Sequence, residues 1–403
     1  MSIVIIDPVS SGINYLSAAQ DLGLNVYVCS TDEGQRRLSL DQRKKTHKVI
    51  EIDTNNFDLM FATLHRLGDI SAVLPGVEYA VPMASRLGAA LGTIHLNNFA
   101  VQLVRNKFKF RSRLTELGLS NIGFFLNYSG EAVQIPKGFR FPAVVKPVDM
   151  AGSINVSKVY NLEELTQVIE AFNRALPDDV GFTSNGNVII EEYISGQEFS
   201  IEGVVCQDGR IKVVSITEKL LGSEPFFVEV GHIVGQHCDK ASRSKMTNYA
   251  HAVLDAIQLN VGPFHLELRI TPEGNPVAIE LAARLPGDKI VELIKRSYGV
   301  DIAYETLCEY TGIENLTVPF EGNISAIAFI PRGDKKTFTK LLDLDQLIDH
   351  PYCLSHHVYF QPDDELGCEQ DWSSRVGYII FSGENESEVR KLVRLTNEEV
   401  KIA

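Results

Sequence analysis

The stretch FHLELRITPEGNPVAIELAAR, residues 264 to 284, constrains the fold of this chain more than any other segment. Both of its arms alternate apolar and polar residues with period two, the pattern of strands with one buried face. In the first arm Phe264, Leu266, Leu268 and Ile270 share a face, leaving His265, Glu267 and Arg269 on the other. In the second, Val277, Ile279 and Leu281 are expected on the apolar face, with Ala278, Glu280, Ala282 and Arg284 opposite. The PEGN between them is good turn chemistry. A two-residue loop at Glu273-Gly274 predicts a hairpin in which Glu267 faces Glu280.

Like charges directly opposite in a sheet are destabilising. Two carboxylates ~5 Å apart repel by about 3 kcal/mol at an effective dielectric of roughly 20. Solvation at an exposed edge, protonation of one partner, or a divalent cation between them would each relieve this. Ala278 and Ala282 leave room on that face, and Arg284 brings a positive charge to it. Oxygen ligands without Cys or His suit Mg²⁺, which commonly takes one or two carboxylates together with phosphate oxygens.

A chain of 403 residues, 44% hydrophobic and 22% charged, has the balance of a soluble globular protein of two or three domains. No apolar run reaches the ~20 residues needed to cross a bilayer. The opening MSIVIID lacks a basic n-region and is expected to be a first strand. Six cysteines (Cys29, Cys206, Cys238, Cys308, Cys353, Cys368) show no CxxC spacing, which argues against zinc and against a disulfide framework. A reducing cytoplasm is the expected compartment. The formal charge of -14 without a polybasic run disfavours nucleic acid and anionic membranes as partners, while leaving small anions open.

Residues 1–96 alternate strand and helix, which implies a parallel sheet flanked by helices. The turn after the first strand, DPVSSG, lacks GxGxxG, so NAD is discounted. Residues 97–120 read as one helix stopped at Gly118, FPAVVKP as a strand, LEELTQVIEAFNRAL as an amphipathic helix and NVIIEEYI as another strand. FSIEGVVCQDGRIKVVSIT reads as a hairpin around Asp208-Gly209, and VELIKRSYG as a helix. From about 313 the strand-like NISAIAFIP and VGYIIFSG suggest an appended α+β unit.

Two segments offer grips for a polyphosphate near the carboxylates. In VVKPVDMAGSINVSKV, Lys146 ends an apolar strand before a small-residue loop with Gly152 and Ser153, where backbone N–H groups approach phosphate oxygens. It is not GxxxxGK[ST], and alone it is an ordinary strand end. In IIEEYISGQEFSIEG, Glu191, Glu192 and Ile194 form a linker able to meet an adenine edge, and Glu198 a group able to accept from ribose; alone, it is a solvated acidic turn.

In order, these pieces resemble the ATP-grasp superfamily over roughly residues 1 to 312. Lys107 in RNKFKFRSRLTELGL matches the family's first nucleotide lysine and Lys146 the second. AGS at 151–153 resembles a shortened glycine-rich flap. EEYISGQE matches the adenine hinge, and Glu267 and Glu280 match the paired metal ligands. The resemblance implies an N-terminal parallel α/β domain (1–96) and an ATP-grasp domain (97–312) with a lid at about 122–195 and a large subdomain at about 196–312. An α+β subdomain would follow at 313–403. It also implies ATP with Mg²⁺, Mn²⁺ being an alternative, and a homodimer.

One departure is informative. Where many members place Asn two residues after the second glutamate, this chain has Ala282, and ELAAR is similar to the L-amino-acid ligase branch. That branch implies substrate contacts at Glu229 and His232 in FFVEVGH. It also implies activation of a carboxylate by γ-phosphoryl transfer, followed by attack of an amine on the acyl phosphate. Arg284 and backbone N–H groups near Gly287 would stabilise the oxyanion, and His232 would take the amine proton or orient a substrate. Glu78 in LPGVEYAVP, after a strand and a glycine, is a further substrate candidate. Asp288 is either a selector for a cationic or hydroxylated substrate or the N-cap of the following helix. The competing readings are a biotin carboxylase-like or purine-pathway enzyme with the same intermediate, and a nucleotide-binding regulatory protein.

Overall fold

In the computed structural model, which describes residues 1–222, 224–235, 238–320, 322–367 and 374–403, three sheets surround one cavity. The first is parallel, with order β3-β2-β1-β4: β1 (Ser2–Ile6), β2 (Asn25–Ser30), β3 (Lys48–Glu51) and β4 (Ile70–Pro75). Helices Asn14–Asp21, Phe57–Leu67 and Val81–Leu91 accompany it, as the alternation predicts. The half-buried β3 carries too short an apolar signal to be read from sequence.

The expected single helix over 97–120 is two, Asn98–Val104 and Lys107–Glu116. Asn106 breaks the run because its side chain accepts from the Lys109 N–H, the geometry of an N-cap. The break makes Lys107 the first residue of a new helix. Its own N–H bonds the Val148 carbonyl.

The second sheet is antiparallel, with order β5-β8-β6-β7: β5 (Phe124–Asn127), β6 (Ala143–Pro147), β7 (Ser157–Val159) and β8 (Val188–Glu192). Helix Leu162–Arg174 buries Leu165, Ile169 and Phe172 against Val145, Val188 and Ile190. After β8 the chain crosses to the third sheet at Gly196, whose φ is +124°. A Cβ there would collide with the Ile270 carbonyl oxygen, so the crossing requires glycine.

The third sheet has eight antiparallel strands. They are β9 (Gln197–Val205), β10 (Ile211–Leu221), β11 (Glu229–Val234), β12 (Gly262–Ile270), β13 (Pro276–Ala282), β14 (Ile324–Pro331), β15 (Cys353–Val358) and β16 (Arg375–Gly383). Their order is β13-β12-β9-β10-β11-β14-β16-β15. The tail beyond 313 thus continues the large sheet through the β11–β14 pairing. Helix Ile302–Thr311 shares a core with helix Asn14–Asp21, which fastens the parallel sheet to the large one.

Glu267 and Glu280 are paired across β12 and β13, but by a different route from the one expected. Ile270 pairs with Pro276 and Thr271 bonds Asn275, so the turn is one residue longer than a two-residue loop. A bulge between the Leu268–Ala278 and Glu267–Glu280 pairs restores the register. Between the longer turn and the bulge, three assignments reverse, the first being Val277, which pairs with Arg269. Ala278 packs in the core with Leu266, Leu268 and Leu281, and Ile279 lines the cavity.

Among the described residues no helix is long and apolar enough to cross a membrane. Cys29, Cys206, Cys238, Cys308 and Cys353 are free thiols; Cys368 lies outside the described residues.

Candidate active site

The cavity, about 440 Å³, is lined by every residue singled out above: Glu78, Lys107, Lys146, Gly152, Ser153, Glu191, Glu192, Ile194, Glu198, Glu229, His232, Glu267, Glu280, Arg284, Gly287 and Asp288. Period two explains how β12 serves it: Phe264, Leu266 and Leu268 fill the core while His265, Glu267 and Arg269 face the cavity. Across the ladder Arg269 pairs with Glu198, Glu198 with Lys219, and Lys219 with His232, a polar row over four strands.

Glu267 and Glu280 are each 23% exposed at the side chain, and each has one oxygen engaged. Lys107 Nζ lies 3.0 Å from Glu280 Oε1 and also donates to the Met150 carbonyl. Lys219 Nζ at 2.8 Å and His265 Nε2 at 3.1 Å both meet Oε1 of Glu267. That leaves Oε2 of each carboxylate for a cation. Burial alone would raise the Glu267 pKa, but Lys219 and His265 bring it well below the usual range, so it is an anion ready to ligate. Among the described residues no cluster of three or more His, Cys, Asp or Glu could hold a metal. Two carboxylates with phosphate oxygens are the donor set Mg²⁺ takes, so the residues fit that ion.

Lys219 was not singled out from the sequence. Its Nζ lies 2.8 Å from Glu267, 3.1 Å from Glu229 and 3.4 Å from Glu198, one carboxylate for each of its three protons. Burial works against its charge, yet the three carboxylates hold its pKa well above the ordinary value. His265 is clamped between Glu202 (3.0 Å at Nδ1) and Glu267, and Thr217 donates to Glu202 at 2.7 Å. Burial lowers the His265 pKa, but the two carboxylates prevail and raise it.

On the second sheet, Glu191 is matched by two cations, Arg111 Nε and Lys146 Nζ, each at 2.5 Å. Burial would raise its pKa; Arg111 and Lys146 instead bring it to about 2. The Glu191 carboxylate therefore fixes Lys146 rather than standing free for a base. The Glu192 side chain turns to Arg140, and its N–H goes to Gly123. The Ile194 carbonyl accepts from Arg269, and Glu198 takes Arg269 and Lys219. Gly152 and Ser153 have φ of +67° and +57°, a left-handed conformation that glycine adopts freely and serine rarely.

At the opposite end Glu78, 3% exposed, receives Arg105 at 2.9 Å and Arg284 at 2.8 Å. Burial pushes its pKa up, but the two guanidiniums bring it below normal. Glu78 orients Arg284 in this arrangement. Asp288 is not an N-cap: that position is Lys289, with no side-chain cap. Nor is its carboxylate open to a cationic substrate. Oδ1 meets Arg375 at 2.8 Å and Oδ2 meets His232 Nε2 at 3.1 Å. Arg375, from the tail, also reaches Glu229 at 3.1 Å.

The comparisons with known proteins agree with this architecture. The ATP-grasp domain family model matches residues 139–292. Dapdiamide A synthase of Enterobacter agglomerans is 30% identical over 306 residues, covering 74% of this chain and 70% of that protein. The L-arginine-specific L-amino acid ligase of Bacillus subtilis is 24% identical over 266 residues, 64% of this chain and 62% of that one. An L-amino acid ligase structure from Bacillus licheniformis superposes with a TM-score of 0.82 at 21% identity, covering 100% of this chain and 98% of its own, and so shares the fold. With 30% identity to one relative over 74% of its length and an ATP-grasp model matched at its centre, the chain belongs to the ATP-grasp superfamily, and it is a ligase that uses ATP with a divalent metal ion to form carbon–nitrogen bonds.

Proposed function

We propose that the chain joins two small molecules, at least one of them an amino acid, through an acyl phosphate. A carboxylate oxygen of the first substrate attacks the γ-phosphorus of ATP and ADP leaves. The amine nitrogen of the second then attacks the acyl carbon; the C–N bond forms, the C–O bond to phosphate breaks, and the amine gives up a proton. Lys107, Lys146 and the Gly152–Ser153 backbone hold the phosphates. Glu267 and Glu280 hold Mg²⁺, which when bound neutralises charge on the transferring phosphoryl group. Arg284, aligned by Glu78, and the backbone at Gly287 face the developing oxyanion. Glu229 and His232 border the substrate, and His232 takes the amine proton or orients a substrate. The backbone from Glu191 to Ile194 and the Glu198 carboxylate border the nucleoside.

The observation that carries this reading is the convergence of Lys107 on Glu280, 3.0 Å apart, from a helix and a hairpin that both line the cavity. The test is phosphate release from Mg²⁺-ATP with amino acids offered singly and in pairs, followed by mass spectrometry. Release that needs two substrates, with a product equal to their summed mass less water, supports it; release that needs no amine refutes it. A homodimer, a cytoplasmic location and Mn²⁺ in place of Mg²⁺ complete the proposal. They rest on the resemblance and composition alone, and sedimentation and a Mn²⁺ titration test the first and last.

A further inference from the structure

The sequence offers Glu229 and Asp288 as two separate acidic candidates for substrate contact, and in the folded chain every oxygen of both has a partner. Glu229 Oε1 meets Lys219 at 3.1 Å and Oε2 meets Arg375 Nη2 at 3.1 Å. Asp288 Oδ1 meets Arg375 Nη1 at 2.8 Å and Oδ2 meets His232 at 3.1 Å. Arg375 spans both carboxylates with one planar fork, which lysine's single ammonium does not reproduce geometrically. Its guanidinium carbon stands 3.7 Å from the ring centroid of Phe329, and its side chain is 6% exposed. Its Nε is buried without a partner among the described residues, so the stack and the two ion pairs fix its position. The wall adjoins the metal carboxylates directly, because Lys219 bridges Glu229 and Glu267.

We infer that Arg375 is a specificity-determining residue: by neutralising Glu229 and Asp288 it makes the cavity accept an amino acid with an uncharged side chain and reject lysine- or arginine-like ones. The inference rests on the amino-acid reading above and names the substrate class for it. A cationic side chain arriving at this wall meets carboxylates whose oxygens are each already engaged, and the Arg375 charge beside them. Among the described residues Arg375 is also the only side chain from the tail in the cavity lining, so the tail sets the polarity of the site through it.

The experiment compares leucine, uncharged, and lysine, cationic, with wild type, Arg375→Met, Arg375→Lys and Asp288→Asn. Calorimetric binding is measured with ADP and Mg²⁺ present, and kcat/KM where turnover is seen. Wild type is expected to favour leucine at least 10-fold. Arg375→Met should move the leucine-to-lysine ratio at least 30-fold toward lysine, Arg375→Lys, which keeps the charge but not the fork, should give a ratio between those of wild type and Arg375→Met, and Asp288→Asn should move it away from lysine. A purely structural role for Arg375 would weaken both amino acids together. An unchanged ratio in Arg375→Met overturns the inference. Should Arg375→Met not fold, Asp288→Asn decides it, since an unmoved ratio there also overturns it. Binding selectivity is read without turnover; absence of phosphate release with selectivity intact would sink the ligase reading and leave this one standing.

Discussion

Ile279 stands between Ala278, which pairs with Leu268, and Glu280, which pairs with Glu267, as the extra residue of a bulge. It faces the cavity, whereas Leu281 two residues on is buried in the core. In an unbroken ladder both would share one face. Leu281→Ala is therefore expected to cost about 2–5 kcal/mol and Ile279→Ala about 1 kcal/mol or less. Urea unfolding of the two variants checks this, and equal losses would remove the bulge from the account.

Glu280→Gln keeps the shape of the side chain and removes its charge. Turnover is expected to fall on the order of 100-fold or more, because metal coordination is worth several kcal/mol in the transition state. Mg²⁺-dependent nucleotide binding should weaken with it. A variant with unchanged Mg²⁺ dependence would place the cation elsewhere.

His265 holds Glu267 from behind, itself held by Glu202. Groups that orient a metal ligand in this way typically control 10–100-fold of metal affinity. His265→Gln is expected to raise the Mg²⁺ concentration for half-maximal nucleotide binding by about that factor. Titration of nucleotide binding with Mg²⁺ reads this directly, and a loss of kcat with unaltered Mg²⁺ dependence would contradict it.

Removing Lys219 takes away the cation that three carboxylates share, leaving Glu198 with Arg269, Glu229 with Arg375 and Glu267 with His265. Breaking a buried pair of this kind costs about 3–5 kcal/mol, so Lys219→Met should unfold at markedly lower urea concentration than wild type. Substitution of Glu198, the most distant partner at 3.4 Å, should cost less than substitution of Glu267 at 2.8 Å. The reverse order would show that distance to Lys219 does not govern the cluster.

Glu191 makes part of the stability depend on pH. Its pKa is about 2 in the folded chain against an ordinary 4.5. The carboxylate therefore contributes stability that is fully present above about pH 4.5 and is lost as pH falls through about 2, amounting to about 3 kcal/mol. Glu191→Gln leaves Arg111 and Lys146 unmatched and is expected to be less stable at pH 7. Its deficit should shrink between pH 4.5 and pH 2 as wild type takes up its proton. A deficit that stays constant across that range would rule out Glu191 as the titrating group.

The opposition of Glu267 and Glu280 was readable because two one-residue departures cancel: the longer turn shifts the register and the bulge shifts it back. The bulge itself was not, since Ala278 and Ile279 are both apolar and either suits a core. The break before Lys107 had a local signal in Asn106, a good cap residue, but the apolar pattern runs through it. Lys219 could have been found by aligning the hairpin of β9 and β10, which sets it opposite Glu198. Arg375 could not. Its partners lie 87 and 146 residues away, and only the folded sheet brings them together.

The seam between β11 and β14 is drawn by backbone pairs running from Gly231–Ala328 to Val234–Ser325. A slip of one residue along it would turn every side chain of the incoming strand to the wrong side. A tail transplanted from a related chain must therefore match β11 in register before Arg375, or whatever replaces it, can arrive at Glu229 and Asp288. Recombination at this seam is all or nothing, and substrate preference is inherited in step with the ladder that carries the ATP-handling side chains.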